Sequence, residues 1–248
     1  MAGEQKLIDP MGQFEIKRFT NWEIAGVDVS FTNSSLMMVI VIALITLFLT
    51  FSMRGRSMVP GRMQSIAELS YEFIANMLKE NVGPEGRKFF PFIFSVFMFV
   101  LISNLVGMIP YSFTVTSHIV VTFALALTVF ITVTLVGIFR HGFKFLSLFA
   151  PSGVPFYLLI ILVPSEVISY FVRPISLSVR LFANMVAGHA LLKVFGGFVV
   201  GLGIWGGWLP LGFITALTGL EFLVAFLQAY VFAILSCLYL NDAINLHH

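Results

Sequence analysis

The sequence predicts an all-α integral membrane protein with about five membrane-embedded helices and one amphipathic surface helix. The last two helices are expected to form a long, strongly tilted antiparallel hairpin. Of the 248 residues, 58% are hydrophobic and only 10% are charged, whereas soluble domains carry about 25% charged residues. So few charges cannot cover a water-soluble domain of this length. In a bilayer all backbone polar groups must bond within the protein, and the helix-length apolar runs favour helices over a barrel.

The amino-terminal part alternates between charged and uncharged segments. Residues 1–33 contain both acidic and basic side chains and are expected to form an exposed arm, and 34–53 is an uncharged first membrane helix. In the charge-rich segment that follows, apolar residues recur at helical spacing: Met63, Ile66, Leu69, Phe73 and Met77. Polar side chains occupy the opposite face of the same predicted helix. This pattern predicts an amphipathic helix over 60–80, lying at the membrane surface or against a partner.

Four further membrane helices are expected, all within one membrane domain that spans residues 34–248. Two uncharged spans lie at 89–110 and 118–139, and a glycine-rich break separates two long segments at 156–200 and 208–242. A helix of about 45 residues is ~68 Å long, more than twice the ~30 Å thickness of the hydrocarbon core. The two long segments therefore form a hairpin that is either steeply tilted or broken. Pro164 and Pro174 are candidate kink positions.

The distribution of basic residues predicts the orientation. The segment 54–88 carries six Lys or Arg residues and 140–144 carries two, whereas the loop at 111–117 and the glycine-rich turn carry none. Cytoplasmic loops carry the excess of Lys and Arg. We therefore expect the amino terminus outside and the carboxyl terminus inside, which five crossings satisfy.

Ionisable and strongly polar residues occur inside the two long helices. In an antiparallel hairpin, residues equally far from the turn lie at the same depth. Counting outward from a turn near residue 204 gives three pairs at nearly equal depth: His189 with Glu221, Arg180 with Gln228, and Glu166 with Asp242. A charge at mid-membrane costs at least about 2.5–3.5 kcal/mol, and such groups usually mark ion paths. Arginine stays protonated, whereas histidine and glutamate can accept and release protons.

Three segments resemble one family. The stretch RPISLSVRLFANMVAGH, from Arg173 to His189, closely resembles the signature of subunit a of F-type ATP synthases, and SNLVGMIP at 103–110 resembles another of its segments. The stretch EFLVAFLQAYVF, beginning at Glu221, is similar to its last helix. Many bacterial members have an acid where His189 stands and a histidine where Glu221 stands, so the two residue types are exchanged here.

The resemblance implies the stator proton-channel subunit of a rotary ATP synthase in the bacterial inner membrane. It implies as partners the c-ring, the b-type peripheral-stalk subunits and transported H⁺, beside the membrane lipid that the composition already predicts. In such a membrane, the outer side on which the amino terminus is expected is the periplasm. Arg180 would be the stator arginine that separates two half-channels, with Asn184 and Gln228 close by. Protons would enter past His189 and Glu221, load the carboxylates of the c-ring, and leave by the residues on the cytoplasmic side: Glu166 and Asp242.

The residues also leave alternatives open. A secondary ion transporter with a charged midplane site predicts an internal repeat, and none is visible, while a purely structural anchor predicts no buried ionisable residues. Asp242 could be a solvated helix end, and Arg173 could extend to the headgroups. Asn104 is interpreted as a helix-packing residue. No phosphate-binding or dinucleotide motif occurs, and the single cysteine, Cys237, excludes a cysteine metal cluster. We expect no cofactor, metal, nucleotide or nucleic acid bound by this chain, and no catalytic site of its own.

Overall fold

The structure is a computed structural model that describes residues 14–20, 23–24, 27–28, 30–54, 60–109, 112–142, 144–145 and 155–245. The first part of the predicted arm, Pro110 of the second resembling segment, the loop at 146–154 and the last three residues lie outside these ranges. The described residues form two two-residue strands that pair antiparallel, β1 (Glu23–Ile24) and β2 (Val27–Asp28). All other regular structure among them is helical.

Six α-helices follow in chain order among the described residues: α1 (Asn33–Met53), α2 (Arg62–Asn81), α3 (Phe90–Gly107), α4 (Ile119–His141), α5 (Phe156–Gly206) and α6 (Trp208–Ile244). Short 3₁₀ turns precede α3 and α4, at Pro84–Phe89 and Val115–Ser117. Five of the helices, all except α2, are long and apolar enough to cross a membrane. The predicted all-α membrane fold is thereby confirmed.

Helix α5 continues through both prolines and is interrupted only near its end. Of the two alternatives left open by the sequence, a break at Pro164 or Pro174 is therefore not seen. The residue that departs from helical geometry is Gly203, with φ 59° and ψ −159°. Glycine adopts this left-handed backbone without a Cβ penalty, so the chain turns where the glycine-rich segment predicted it. The Gly207 amide donates to the Gly203 carbonyl at 2.8 Å and closes the turn.

Helix α2 has three distinct faces rather than two. It packs on its own chain through a stripe that includes Ala67, Ile74 and Leu78. The apolar face predicted from the sequence remains exposed for most of its length, with Met63 at 55% and Leu69 at 64%. The charged residues occupy the third face. The helix thus presents an uncovered apolar stripe alongside its polar one, as expected for a helix at a membrane surface.

Contacts divide the chain into two compact units, each assembled from separate segments. The first comprises Met1–Thr50, Met98–Ile119 and Leu181–Ala229, and the second comprises Phe51–Phe97, Val120–Arg180 and Tyr230–His248. The fully buried side chains of the first unit include Val100, Val115 and Leu181. Those of the second include Ile74, Ile93, Phe232 and Cys237.

Candidate functional site

A buried pair of ionisable side chains joins α5 and α6 in the first unit. The His189 Nδ1 atom lies 2.8 Å from Glu221 Oε1, and the two side chains are only 11% and 8% exposed. The structure brings together the two residues that counting from the turn placed at equal depth. Histidine and glutamate both exchange protons in the physiological range when their surroundings are tuned. The pair can therefore hold and pass a proton.

Two oxygen atoms lie close enough to Nδ1 to accept a hydrogen bond, and they differ in alignment. The nitrogen is aligned for a hydrogen bond to the carbonyl of Met185, one turn earlier on α5, at 3.0 Å. Glu221 Oε1 is slightly closer but makes no well-aligned hydrogen bond within the described part of the chain. The imidazole and the carboxylate are nevertheless in direct contact.

Gly188 makes room for the carboxylate. A Cβ atom at this position would lie 2.7 Å from Glu221 Oε1, closer than a methyl group can approach an oxygen. The glycine immediately before His189 therefore lets the Glu221 side chain lie against the backbone of α5. Any larger residue would displace the carboxylate from its partner.

The other ring nitrogen of His189 faces the end of α3 and the loop that follows. Nε2 lies 2.9 Å from the Gly107 carbonyl and 3.1 Å from Thr114 Oγ1. The loop is itself buried, since Thr114 and the turn Val115–Ser117 have almost no exposed surface. The Phe14 ring also approaches the imidazole, with centroids 6.3 Å apart. Sequence reasoning missed Thr114, because a threonine in a short polar loop carries no signal of its own.

Asn104 connects α3 to α6 close to this pair. Its Nδ2 atom donates to the carbonyl of Ala225 at 3.2 Å, and the side chain is fully buried. Ala225 lies one helical turn after Glu221. The interpretation of Asn104 as a helix-packing residue agrees with this contact, and the bond fixes α6 beside α3 where Glu221 projects.

Near the loop, burial lowers the pKa of the His118 imidazole below its ordinary value of 6.5. The ring stacks on Phe113 with centroids 4.9 Å apart. Removing the imidazole from water disfavours its charged form, which is the cause of the shift. His118 therefore belongs to the packing of the loop.

Arg180, in the second unit, has an exposed side chain in the isolated chain. No carboxylate within the described ranges forms an ion pair with it. Tyr239 of α6 lies within electrostatic reach of the guanidinium. Arg180 lies in the middle of a membrane-length helix, where an unpaired charge is costly, and no carboxylate among the described residues offsets it.

Asp242 pairs with a residue other than the one expected. Its carboxylate accepts a hydrogen bond from Arg173 Nη1 at 2.9 Å, and no contact in the described part of the chain joins it to Glu166. The Arg173 guanidinium also lies over the rings of Tyr170 and Tyr239, at 5.7 and 5.1 Å. Arg173 thus binds within the hairpin rather than extending to the headgroups.

The physical reason is the reach of arginine. Helical side chains lean toward the amino-terminal end of their own helix, so the long Arg173 stem carries its head beyond the depth of its Cα. Equal counting from the turn describes backbone depth and therefore misassigns the partner of a long side chain. The same counting succeeded for His189, whose side chain is short.

The remaining predicted residues have less defined surroundings. Gln228 is buried, whereas Asn184 and Glu166 are half-buried. Arg180 and Gln228 belong to different units, and their expected proximity stays a prediction. The roles of Asn184, Gln228 and Glu166 likewise stay predictions.

Comparison with known proteins gives a consistent result. The family model described as the ATP synthase A chain matches residues 35–241. The ATP synthase subunit a of Pelagibacter ubique is 58% identical over 241 residues, covering 97% of this chain and 99% of its own. The subunit a of Allorhizobium ampelinum is 60% identical over 243 residues, covering 96% and 97%. That of Paramagnetospirillum magneticum is 58% identical over 247 residues, covering 97% and 100%.

Proposed function

The chain belongs to the ATP synthase A chain family, and from this premise we propose that it forms two offset half-channels that load and unload protons on a rotating ring of c subunits. Membership makes it a multi-pass subunit of the proton-transporting membrane sector, in the inner membrane of a bacterium and in a complex with other subunits. The half-channels, the named residues and the individual partners are the proposal.

The entry half-channel contains His189 and Glu221. The observation that carries the proposal is this buried pair, with its two nitrogens and carboxylate held within 2.8–3.1 Å of their neighbours. Buried polar atoms nearby find no hydrogen-bond partner within the described residues: Ser103 Oγ, Asn104 Oδ1 and Thr116 Oγ1. Such atoms in native proteins are usually satisfied by ordered water. A chain of water molecules past them would deliver protons to the pair.

Arg180 separates the two half-channels. Its charge is permanent, its side chain is exposed, and no carboxylate in the described ranges neutralises it. A carboxylate on a neighbouring c subunit supplies the missing partner once it has lost its proton. The protonated, neutral carboxylate can instead turn through lipid, which a charged one could not do cheaply. We assign Asn184 and Gln228 to assisting this exchange.

The exit half-channel lies on the cytoplasmic side and contains Glu166. Asp242 is bound by Arg173, so we assign it to holding α5 and α6 together at the exit, and Glu166 to receiving the released proton. The membrane potential supplies about 2.3 kcal/mol per proton for each 100 mV. The amino terminus faces the periplasm, and the exposed apolar stripe of α2 borders lipid or the b-type stalk subunits.

Replacement of Arg180 tests this function. We expect Arg180→Ala in the assembled enzyme to abolish both ATP synthesis and ATP-driven proton pumping in inverted membrane vesicles. Lys193→Ala is the matched control, because it removes another exposed basic side chain from the same helix and should leave pumping close to wild type. Normal pumping by the Arg180→Ala enzyme would contradict the proposal.

A further inference from the structure

The surroundings of His189 Nε2 differ in what they can offer the ring. Gly107 contributes a carbonyl oxygen at 2.9 Å, which can only accept a hydrogen bond. Thr114 contributes a hydroxyl at 3.1 Å, which can either accept or donate. The two neighbours therefore respond differently when the proton on Nε2 comes and goes.

When Nε2 carries a proton, both neighbours are satisfied. The N–H donates to the Gly107 carbonyl and to Thr114 Oγ1, while the Thr114 hydroxyl donates its own proton to the same carbonyl at 3.3 Å. Gly107 is the last residue of α3, and the final carbonyls of a helix have no amide partner within it. The negative end of the helix dipole adds to the attraction of a positively charged ring.

When Nε2 loses its proton to water, the N–H bond breaks and the nitrogen keeps the electron pair. That lone pair then faces the carbonyl oxygen of Gly107, which offers it no hydrogen. The Thr114 hydroxyl can rotate from the carbonyl to the nitrogen and donate there. The Ser112 hydroxyl also lies 3.3 Å from this carbonyl, although the carbonyls of Val106 and Ile109 are closer to it, at 2.6 and 2.8 Å.

We propose that Thr114 is a positioning residue for proton transfer through His189. The Thr114 hydroxyl accepts a hydrogen bond from Nε2 when that nitrogen carries a proton, and donates one to Nε2 when it does not. This inference rests on the proposed function, because it assigns the step to the entry half-channel. Thr114 keeps the ring hydrogen-bonded in both states, so neither state is trapped.

The other groups that face the ring do not provide this exchange. Among the described residues, α6 presents the carboxylate of Glu221 at Nδ1, α3 presents the Gly107 carbonyl, and the amino-terminal segment presents the Phe14 ring. The loop also contains the titratable His118, and α5 contains Lys193 one turn beyond His189. Of the groups in the described part of the chain that contact Nε2, the Thr114 hydroxyl is the one that can change from acceptor to donor.

The test compares two replacements in the assembled enzyme reconstituted in vesicles. Thr114→Val keeps the shape and removes the hydroxyl, whereas Thr114→Ser keeps the hydroxyl and removes the methyl group. We expect Thr114→Val to slow ATP synthesis about tenfold, the effect of losing one hydrogen bond, and to change its dependence on the pH of the proton-entry compartment. Thr114→Ser should stay within about twofold of wild type. Thr132→Val is the control, because the Thr132 hydroxyl bonds to the Thr128 carbonyl of its own helix.

A second measurement reports on the ring itself. In enzyme with ¹⁵N-labelled histidine, Thr114→Val should shift the Nε2 resonance of His189, assigned with His189→Gln, and Thr132→Val should not. If Thr114→Val does not assemble, Thr114→Ala removes the same hydroxyl and has the same expected result. Unchanged synthesis and an unchanged resonance would overturn the inference, as would equal losses in the valine and serine variants. Failure of the proposed function shows separately, as normal pumping by Arg180→Ala.

Discussion

His189 Nδ1 lies 2.8 Å from Glu221 Oε1, yet its aligned hydrogen bond goes to the Met185 carbonyl at 3.0 Å. The two side chains are therefore in direct contact, with the Met185 carbonyl as a second acceptor for the same nitrogen. A contact of this kind depends on having one acid and one base, and less on which helix carries each.

The first prediction concerns the exchange of these two residues. We expect His189→Glu and Glu221→His each to lower the rate of ATP synthesis strongly, because each leaves two groups of the same type facing one another. The double exchange should recover most of the rate, corresponding to a coupling of about 2 kcal/mol. Rates in reconstituted vesicles measure this. A double variant no better than the worse single variant would show that the identity of each position matters.

The second prediction concerns the space beside the carboxylate. Gly188→Ala would place a methyl group 2.7 Å from Glu221 Oε1, so the carboxylate must move away from His189. We expect a loss of proton pumping equivalent to about 1–3 kcal/mol, the usual cost of overpacking. Gly196→Ala on the same helix is the control, because nothing lies within 4 Å of its added methyl group. Equal activities of the two variants would exclude the proposed role of Gly188.

The third prediction concerns the ion pair between Arg173 and Asp242. The two side chains are 26% and 36% exposed, so solvent screens part of their attraction, and we expect a coupling energy of about 1 kcal/mol. A double-mutant cycle with Arg173→Ala and Asp242→Ala, read as thermal stability of the purified subunit, measures it. The pair of Arg140 with Glu85 is the comparison, because its side chains are more exposed, at 40% and 55%. The Arg140–Glu85 pair should give the smaller coupling energy. A larger coupling for that pair than for Arg173–Asp242 would contradict the role assigned to Asp242 in holding α5 and α6 together.

The fourth prediction concerns acidification near His118. Burial lowers its pKa in the folded chain below that in the unfolded chain. The folded state therefore favours the neutral imidazole, so this stabilisation is fully present above about pH 6.5 and is lost as the pH falls toward the lowered folded pKa. We expect thermal stability between pH 7 and pH 5 to fall less in His118→Asn than in the wild type. Identical pH profiles of thermal stability in the two proteins would show that protonation of His118 does not cause the loss of stability.

Much of the fold follows from patterns that act locally. Length and apolarity predicted the five membrane helices, and a glycine cluster predicted the turn that Gly203 makes. The continuity of α5 through Pro164 and Pro174 did not follow, because a proline removes one hydrogen bond without dictating whether the neighbouring turns compensate for it. The stripe by which α2 packs on its own chain did not follow either, since periodicity reveals an apolar face but not whether protein or lipid covers it.

The candidate site was predictable where backbone depth decides which residues meet. His189 and Glu221 meet because the turn fixes their register. Asp242 could not be matched by the same means, because Arg173 reaches it through a long side chain. Thr114 escaped notice for a third reason: its contact with His189 depends on how a loop folds back between helices, and no periodic pattern encodes that.

The solitary thiol of this protein has a practical consequence. Cys237 is fully buried in the second unit, so a water-soluble maleimide should react slowly with the unmodified chain. Engineered cysteines could then be labelled one at a time with little background labelling of Cys237, without first replacing it. Reagent applied to either side of a sealed vesicle would map which positions along the two long helices admit water.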